Sequence, residues 1–577
     1  MRQNQSLVDV LQKRARNEPE RQAFVFLTAR NQEHSTLTFA QLYLSAQSVC
    51  SSIQSQVTRG DRVPLVYAPG LEFIIALMAC WLAGAVAVPL VPENFRKMPQ
   101  SMQTLLRQLS AKLILCDTAS QAHLAHYPLA CIDTGVLGQF TTATTTLPGR
   151  PAVDDLALIQ YTSGSTASPK GVMITHGNLM ANLEMIRIRF EHNANTTVAG
   201  WLPFYHDQGL VGNILQPLYI GARSVLMSPK SFVRDPMLWI QTLSDYKVHS
   251  SGGPNFAYQL CVAKYNPAKL QDCDLSAWAI AFNGAEPVCA ETIKQFADIY
   301  ALYGFRREAM YPCYGLAEAT LFVSGGHKLQ PPVFKNVERA LLQCHKIKES
   351  APTSGNKQAI SACGKVTDGG TIKIVNQYSK RICRANEIGE IWLDGPHVAL
   401  GYWNNSVATK DYFHARLDDS DESVYLRTGD LGFLDEQGQL FVTGRIKELI
   451  IQFGKNYFPT DLEATMASAH PALEPNRGVI FSTNDQGKDQ VVAVQEVKRR
   501  YRNQIVIEDI IRAIRKKVNE VHGLTLNRIV IVPPNTILVT TSGKKKRSLL
   551  RQLFESGGLD HHIDVLGKSL KADEAFS

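Results

Sequence analysis

The sequence has few of the features of an exported or thiolate-metal protein. Its eleven cysteines are odd in number and dispersed, and no C-x-x-C pair occurs. This arrangement predicts neither a disulfide framework nor a thiolate zinc site. Residues 1–20 are rich in Gln, Asn, Arg and Glu and lack the apolar core of a secretory signal. We therefore expect a protein of the reducing cytoplasm.

The sequence also lacks a large charge imbalance. Sixty Lys and Arg residues against 52 Asp and Glu residues leave a net charge of +8 over 577 residues. This is weak for a nucleic-acid-binding protein, and we expect no nucleic-acid partner. Residues 447–577 hold 20 basic and 15 acidic residues. That local excess suits an anionic partner, but scattered solvated charge explains it equally well.

Long hydrophobic runs are scarce. Residues 73–92 contain no charged residue and are long enough to span a bilayer. Gly84 divides the run, however, and two prolines end it, which favours a buried helix followed by a buried strand. We predict no membrane span. With 45% hydrophobic and 19% charged residues, the chain has the composition of a folded protein, and its length suggests several globular units.

The order of apolar segments predicts the fold class. Short β-branched runs alternate with helix-length amphipathic segments through the first 300 residues, for example at 62–66, 112–115 and 223–226. This alternation predicts an α/β fold with parallel-rich sheets. We assign residues 1–445 to a large domain of two such subdomains, with an insertion or long loop at 326–363. A β-rich subdomain at 365–445 includes a hairpin at 432–442.

The remaining residues, 446–577, predict a small α+β domain. Apolar residues recur at helical spacing over 507–521, with Arg515, Lys516 and Lys517 on the outer face, and 529–532 is an apolar run typical of a strand. A unit of this size is small enough to move as a body.

The most informative chemical motif is at residues 161–171 (YTSGSTASPKG), after an apolar run at 156–159. Backbone amides and small hydroxyl side chains in such a loop wrap phosphate oxygens, and Lys170 adds a positive charge. It is not a Walker A loop, because Lys170 precedes the second glycine and no Lys-Ser/Thr pair follows. A Ser/Thr/Gly-rich loop alone is equally typical of a surface linker, so the prediction depends on the complete motif.

Further motifs follow in order along the chain. They are residues 283–287 (NGAEP), 311–320 (YPCYGLAEAT), 426–430 (LRTGD), 444–448 (GRIKE) and 541–544 (TSGK). With the phosphate loop, they make nearly the whole chain resemble the adenylate-forming superfamily. Residues 201–212 (WLPFYHDQGLVG) and 455–463 (KNYFPTDLE), and alanine instead of threonine at position 317, resemble the fatty acyl-AMP ligase branch of that superfamily.

The resemblance implies a set of site residues. It assigns ATP and AMP contacts to Thr162, Ser163, Gly164, Ser165, Thr166, Lys170, Asn283, Gly284, Ala285, Glu286, Cys313, Tyr314, Gly315, Leu316, Asp430, Arg445 and Lys544. It assigns catalysis to Lys544, Glu318 and Arg445, the Mg²⁺ ligand to Glu318, and the hinge between the domains to Lys447. It places the acyl substrate beside Phe204, His206, Asp207, Gly212, Gly252, Gly253 and Phe256.

Several of these residue types suit their implied roles. Tyr314 offers adenine a flat face, and Asp430 is an acceptor for both ribose hydroxyls. Glu318 supplies the hard oxygen that Mg²⁺ prefers. Because a fatty carboxylate is already ionised at pH 7, no general base is required, and we expect His206 to shape the acyl entrance instead. We expect Lys545 and Lys546 to be surface residues.

The implied reaction is activation of a medium- to long-chain fatty acid by ATP to acyl-AMP. By the same resemblance, the insertion restrains the small domain, so the acyl group passes to the phosphopantetheine of an acyl carrier protein, or a carrier domain of a polyketide or peptide synthase, rather than to CoA. The alternatives are a long-chain acyl-CoA synthetase, an amino-acid adenylation domain, and a non-catalytic nucleotide-binding protein that retains the fold.

Overall fold

A computed structural model describes residues 5–135, 150–162, 169–351, 354, 357–367, 369–418, 423–452, 455–485, 488–501, 506–539 and 545–559. The strands are β1 (Gln22–Ala29), β2 (Gln32–Thr38), β3 (Arg62–Val66), β4 (Val86–Leu90), β5 (Leu113–Cys116), β6 (Ala130–Asp133), β7 (Leu156–Thr162), β8 (Lys170–Thr175), β9 (Thr197–Gly200), β10 (Arg223–Met227), β11 (Ser250–Gly253), β12 (Ile280–Asn283), β13 (Met310–Gly315), β14 (Phe322–Gly325), β15 (Phe334–Glu338), β16 (Lys357–Ser361), β17 (Lys365–Val366), β18 (Thr371–Val375), β19 (Gly389–Asp394), β20 (Gly401–Tyr402), β21 (Leu426–Leu434), β22 (Leu440–Arg445), β23 (Ile450–Gln452), β24 (Lys455–Tyr457), β25 (Leu473–Asp485), β26 (Lys488–Val497) and β27 (Arg528–Val532).

The α-helices are α1 (Leu7–Asn17), α2 (Phe39–Ile53), α3 (Leu71–Leu82), α4 (Pro92–Lys97), α5 (Pro99–Leu109), α6 (Thr118–Leu124), α7 (His176–Arg189), α8 (Gln216–Ile220), α9 (Pro229–Arg234), α10 (Met237–Asp245), α11 (Asn255–Ala263), α12 (Ala290–Tyr300), α13 (Arg339–Leu342), α14 (Ser406–Phe413), α15 (Pro459–Ala467), α16 (Ile507–His522) and α17 (Arg547–Glu555). A π-helix spans Gln208–Leu215. Short 3₁₀ turns occur at Pro267–Lys269, Ala301–Tyr303, Arg307–Ala309, Ala317–Ala319, Ile446–Glu448 and Arg499–Tyr501.

Two large sheets form the body of the protein. In the described residues, one has nine strands in the order β17-β14-β13-β12-β11-β9-β10-β1-β2, and the other has seven in the order β20-β8-β7-β4-β3-β5-β6. Strands β1, β10, β9, β11, β12 and β13 run parallel to their neighbours in that series, and so do β7, β4, β3, β5 and β6. The predicted α/β class with parallel-rich sheets is confirmed.

The uncharged run at 73–92 lies inside this body. Helix α3 is buried along most of its length, and β4 is buried at every position. Burial on both faces accounts for the absence of charge, since helices cover both sides of a parallel sheet. The expected buried helix and strand are confirmed. Among the helices that the structure describes, none combines the length and the hydrophobicity that a membrane-spanning helix needs.

Parallel pairing brings several loops to one edge of the nine-stranded sheet. The segments 201–207, 254–256 and 284–286 leave the carboxyl ends of β9, β11 and β12, and 316–321 follows β13. Because these strands run in the same direction, their carboxyl ends meet at one edge, which is where ligands bind in open α/β sheets. The fold therefore places the predicted acyl and adenine segments together.

Strands β18, β19, β21 and β22 form a separate antiparallel sheet. Its last two strands are the predicted hairpin, with Gly438 in its turn at φ +75°. Strands β15 and β16 pair antiparallel within the segment 326–363. We expected an insertion or long loop there, and the segment contains this strand pair and the short helix α13. Val337 and Ile360 pack against Phe433 and Phe441 of the hairpin.

The C-terminal residues carry their own apolar clusters. Strands β25, β26 and β27 form a sheet, and α16 buries Ile510, Ile514 and Val518 while Arg515, Lys516 and Lys517 are exposed. The predicted amphipathic helix and the strand at 529–532 are confirmed. The insertion contacts this region through Arg339, whose Nε and Nη2 donate to Asp461 at 2.8 and 3.1 Å.

Candidate active site

The adenine-side loop follows β12. Asn283 is fully buried and pairs in register with Pro312 of β13, and the Cys313 thiol donates to the Asn283 carbonyl oxygen at 3.8 Å. A Cβ on Gly284 would lie 2.9 Å from the Cys313 carbonyl oxygen. The close approach of the two strands therefore requires glycine at this position. Burial raises the pKa of the Cys313 thiol, so it remains protonated.

Two further residues shape this loop. Ala285 has φ +70°, an uncommon conformation for a residue other than glycine. The Glu286 Oε1 atom accepts a hydrogen bond from the Phe256 amide at 2.5 Å. This contact links the predicted adenine loop to the predicted acyl wall.

The segment after β13 is a tight turn that presents Glu318. A Cβ on Gly315 would lie 1.9 Å from the Leu321 carbonyl oxygen, and the Leu316 amide donates to that oxygen at 2.9 Å. Thr320 has φ 67° and ψ −59°, and the Leu321 amide donates to the Ala319 carbonyl oxygen at 2.8 Å. This is a strained γ-turn, and such strain persists where the surroundings enforce it. The Thr320 hydroxyl anchors the turn by donating to the His397 carbonyl oxygen at 2.7 Å.

Glu318 is half-buried inside this turn. Its Oε1 accepts a hydrogen bond from the Tyr402 hydroxyl at 2.9 Å. Burial raises the pKa of Glu318 above its ordinary value, and the Tyr402 hydrogen bond and the positive charge of Arg445 oppose that rise. The negative charge of Asp207 also raises this pKa, which places the acyl-side segment within electrostatic reach of Glu318.

Tyr314, Asp430 and Arg445 form a connected group. The Tyr314 hydroxyl donates to Asp430 Oδ2 at 2.7 Å, and Arg445 Nε lies 3.0 Å from Asp430 Oδ1. Asp430 and Arg445 are register partners on β21 and β22, so the hairpin itself sets their distance. The Asp430 charge raises the pKa of the Arg445 guanidinium above its ordinary value. Each Asp430 oxygen keeps a further lone pair for a ligand hydroxyl.

Sequence analysis missed the residue that holds the Asp430 loop. Glu390 is 1% exposed, and its carboxylate accepts from Arg427 Nε at 3.0 and 3.2 Å, from Trp392 Nε1 at 3.0 Å and from the Gly429 amide at 3.2 Å. Gly429 has φ +73°. A buried carboxylate with this many donors fixes the turn before Asp430. No motif identified Glu390, because its partners come together only by strand pairing.

Lys170 begins β8, beside Thr162 of β7. The Thr162 hydroxyl donates to the Lys170 carbonyl oxygen at 3.5 Å. Lys170 Nζ lies 4.5 Å from the ring centroid of Tyr402 and 4.4 Å from that of Tyr412. Lys447 Nζ lies 5.7 Å from the same Tyr412 ring. The predicted phosphate-side lysine and the predicted hinge lysine therefore reach one aromatic side chain.

The acyl-side residues lie around the carboxyl ends of β9 and β11. The Phe204 ring lies 5.7 Å from the Phe73 ring, and His206 lies 5.4 Å from the Tyr205 ring. Asp207 begins the π-helix, where its Oδ1 accepts from the Gln208 amide at 2.8 Å. π-Helical turns are rare in proteins overall, but those that occur are often found at functional sites. A Cβ built at Gly212 would lie 3.7 Å from Leu321 Cδ2, which is ordinary van der Waals contact.

The opposite acyl wall is more crowded. A Cβ on Gly252 would lie 2.0 Å from the Phe282 carbonyl oxygen, and one on Gly253 would lie 2.6 Å from the Trp201 ring. The Phe256 ring meets Trp201 edge to face at 5.9 Å. Gly252 and Gly253 thus allow strand and ring packing, and of these residues Phe256 has the side chain that can line a chain-binding space.

Five of the predicted residues lie outside the described part of the chain: Ser163, Gly164, Ser165, Thr166 and Lys544.

The burial of Lys545, the residue after Lys544, differs from the expectation. We expected Lys545 at the surface, but its side chain is 21% exposed and its Nζ lies 2.7 Å from Glu463 Oε2. Glu463 is 3% exposed and forms ion pairs with Lys545 and Arg547. These two basic residues after the TSGK motif are therefore partly or fully buried. Lys546 is exposed, as expected.

The donor set at Glu318 is compatible with Mg²⁺. Within the described residues, no group of three or more His, Cys, Asp or Glu side chains could hold a metal ion. Glu318 contributes a single carboxylate, of which Tyr402 occupies one acceptor position on Oε1. Mg²⁺ is commonly held by one or two carboxylates together with substrate phosphates and waters.

The fold and this group of site residues define a mixed α/β nucleotide-binding enzyme. The family described as AMP-binding enzyme matches residues 11–403, and the family described as Disco-interacting protein 2-like, AMP domain, matches residues 447–563. The chain belongs to the AMP-binding enzyme family.

Three individual proteins that are similar to this chain are fatty-acid ligases. The medium-chain-fatty-acid–acyl-carrier-protein ligase JamA of Moorena producens is 37% identical over 98% of both chains. The crystal structure of a fatty acid AMP ligase from Legionella pneumophila is similar with a TM-score of 0.75 and 36% identity, over 96% of each chain. A fatty acyl-adenylate ligase from the same organism, in complex with acyl adenylate and pyrophosphate, gives a TM-score of 0.74 and 35% identity, over 95% of this chain and 96% of that one.

Proposed function

We propose that this protein is a fatty acyl-AMP ligase, which activates a medium- to long-chain fatty acid with ATP and transfers the acyl group to an acyl carrier protein or carrier domain. The observation that supports this most is a pair of neighbouring groups. Tyr314, Asp430 and Arg445 are joined by side-chain contacts, and Tyr402 joins Glu318 to Lys170. The positive charge of Arg445 acts on the pKa of Glu318 and so relates the two groups. The whole-length similarity to a fatty-acid–acyl-carrier-protein ligase supports the substrate and the partner.

The first step is an in-line substitution at phosphorus. A fatty carboxylate oxygen attacks the α-phosphorus of ATP, the bond to the β-phosphate oxygen breaks, and pyrophosphate leaves with its electron pair. Catalysis then depends on positioning and on cations placed beside the developing charge. Lys170, Arg445 and Lys544 supply side-chain cations. In the second step the phosphopantetheine thiol gives up its proton to water and the thiolate attacks the acyl carbonyl carbon. The bond from that carbon to the phosphate oxygen breaks, AMP leaves with its electron pair, and a thioester forms.

The described residues bind and orient the nucleotide. Asp430 accepts from the ribose hydroxyls while Tyr314 and Arg445 hold its carboxylate, and the Tyr314 ring packs against adenine. The loop at 283–286 borders the base. We propose Glu318 as the Mg²⁺ ligand. When bound, that ion neutralises phosphate charge and orients the leaving group.

We propose that residues 1–445 form the large domain and 446–577 a lid that turns about Lys447. The boundary falls after β22, at the turn Ile446–Glu448, which supports a hinge. Contacts across it supply the restraint expected of the insertion: Arg339 pairs with Asp461, and the Gln343 carbonyl oxygen accepts from the Asn456 amide and Nδ2 at 3.0 and 3.1 Å. These contacts favour a carrier protein over free CoA.

The test separates the acceptors. Purified protein is incubated with Mg·ATP and a mixed pool of fatty acids, with either a phosphopantetheinylated carrier protein or CoA, and products are identified by mass spectrometry. We expect acyl-AMP from medium- and long-chain acids and acyl thioester on the carrier. Acyl-CoA as the main product would establish the synthetase alternative instead.

A second arm tests the non-catalytic alternative. Lys544→Ala should reduce acyl-AMP formation by about 100-fold or more, as removal of one transition-state charge partner does in other enzymes. Equal product from the variant and the unaltered protein would contradict the proposed role of Lys544.

A further inference from the structure

The Lys170 ammonium lies between two tyrosine rings. Its Nζ is 4.5 Å from the Tyr402 centroid and 4.4 Å from the Tyr412 centroid, and the two rings are 6.2 Å apart in an edge-to-face arrangement. Both distances are well inside the range of about 6 Å for a cation–π contact. Among the described residues, Lys170 makes no ion pair with a carboxylate.

Local structure explains the arrangement. Tyr402 in β20 pairs with Val172 of β8, two residues after Lys170. Tyr412 lies on α14, whose first turn is capped by the Asn405 side chain and whose Thr409 hydroxyl accepts from the Tyr402 amide at 2.9 Å. Strand pairing and one short helix therefore bring both rings to the start of β8.

Neutral rings hold a lysine differently from a carboxylate. A carboxylate partner would compensate the ammonium charge and compete with phosphate for it, whereas a ring face attracts the ammonium and leaves its net charge in place. A lysine that must meet a polyphosphate gains orientation from such rings without losing charge. The Tyr402 hydroxyl is also engaged at Glu318, which fixes the plane of that ring.

We propose that Tyr402 and Tyr412 form an aromatic clamp that positions the Lys170 ammonium for the ATP phosphates, with the clamp strength carried by the Tyr412 ring and not by its hydroxyl. The inference rests on the proposed function for the identity of the phosphate ligand. Tyr402 and Tyr412 are positioning residues, since they act through Lys170.

The first experiment compares Tyr412→Leu with Tyr412→Phe in the full-length protein. Phenylalanine keeps the ring face and leucine removes it. We expect Tyr412→Leu to raise the KM for ATP about 2- to 30-fold with little change in kcat, the range of one cation–π contact. Tyr412→Phe should stay within about twofold of the unaltered protein, because it keeps the ring face that contacts Lys170.

A matched control uses another cation–π pair. Arg223 lies 5.4 Å from the Tyr246 ring and begins β10 of the nine-stranded sheet, whereas β8 belongs to the seven-stranded sheet. Tyr246→Leu should leave the KM for ATP unchanged. A series of ring-fluorinated phenylalanines at position 412 covers the case in which Tyr412→Leu fails to fold. Fluorine weakens the negative face of the ring, so the KM for ATP should rise steadily with fluorine number.

A labelling experiment tests the clamp without catalysis. Lysine acetylation is followed by peptide mass spectrometry in the absence of ATP, with the exposed Lys230 as an internal reference. Lys170 should react faster in Tyr412→Leu than in Tyr412→Phe. If no fatty acid yields acyl-AMP, the proposed function fails while this readout still decides the clamp. Equal Lys170 labelling in the two variants, or no trend across the fluorinated series, would overturn it.

Discussion

The substitution Glu463→Gln should strongly lower the folding stability of the C-terminal α+β region. The Glu463 carboxylate is 3% exposed and accepts from Lys545 Nζ at 2.7 Å, from Arg547 Nη2 at 2.8 Å and from the Ile480 amide at 2.9 Å. Arg547 also pairs with Glu448. Arg547 keeps Glu448 as a partner, but the Lys545 ammonium, 21% exposed, loses its carboxylate. We therefore expect a cost of about 3 kcal/mol, the lower end of the range for breaking a buried pair. Glutamine keeps the shape and the acceptor for Ile480, so the loss reports the charge.

The assay is native-state hydrogen exchange of peptides from β25 and β26. A loss of about 3 kcal/mol lowers amide protection by about 100-fold, since each 1.4 kcal/mol is a factor of about ten. The matched control is Glu520→Gln, which removes an exposed pair with Lys516 at 3.9 Å and should change stability by no more than about 0.5 kcal/mol. Equal protection in the two variants would refute the reasoning.

Acidification should reproduce part of this effect. Burial alone would raise the pKa of Glu463, but Arg547 and Lys545 bring it below its ordinary value. A carboxyl group with a lowered pKa stabilises the fold above its unfolded pKa, about 4.3, and that contribution declines as the pH falls from there through the folded pKa. Glu463→Gln should remove this acid-dependent part of the protection of β25 and β26.

Three other substitutions test the nucleotide site and the lid. Asp430→Asn should raise the KM for ATP about 10- to 100-fold in steady-state assays, because it loses charge-assisted bonds, each worth about 1.5–3 kcal/mol, and an unchanged KM would exclude Asp430 from the nucleotide site. Tyr402→Phe removes a hydrogen bond that holds down the raised pKa of Glu318, so the acid limb of the pH profile of kcat/KM should move to higher pH; a superimposable profile would contradict that link. Arg339→Met breaks the pair with Asp461 and should increase acyl-CoA formation about threefold, a shift of about 0.65 kcal/mol, whereas no gain would separate that contact from acceptor choice.

The sequence predicts local structure well where one segment determines it. The apolar run at 73–92, the hairpin around Gly438 and the amphipathic spacing of α16 all reach the structure as expected. Each depends on periodicity or on turn chemistry within a few residues. The parallel pairing of most strands in the two large sheets follows from the alternation of strands and helices along the sequence.

Contacts between distant segments could not be predicted in the same way. Tyr314 and Asp430 are 116 positions apart, and Tyr402 and Glu318 are 84 apart. Glu390 has no motif of its own, and Lys545 looked like surface charge because its partner Glu463 lies 82 positions away. Side-chain pairing of this kind depends on tertiary packing, which a single sequence does not encode in any local pattern.

The central claim is that this site joins a fatty carboxylate to the α-phosphate of ATP. The most direct measurement is exchange of labelled pyrophosphate into ATP, with Mg²⁺ present and acyl acceptors absent, across medium and long fatty acids. The account predicts exchange that requires the fatty acid and that, at ATP concentrations below the KM, is about 10- to 100-fold slower in Asp430→Asn. Exchange that ignores the fatty acid, or none with any chain length, would contradict it.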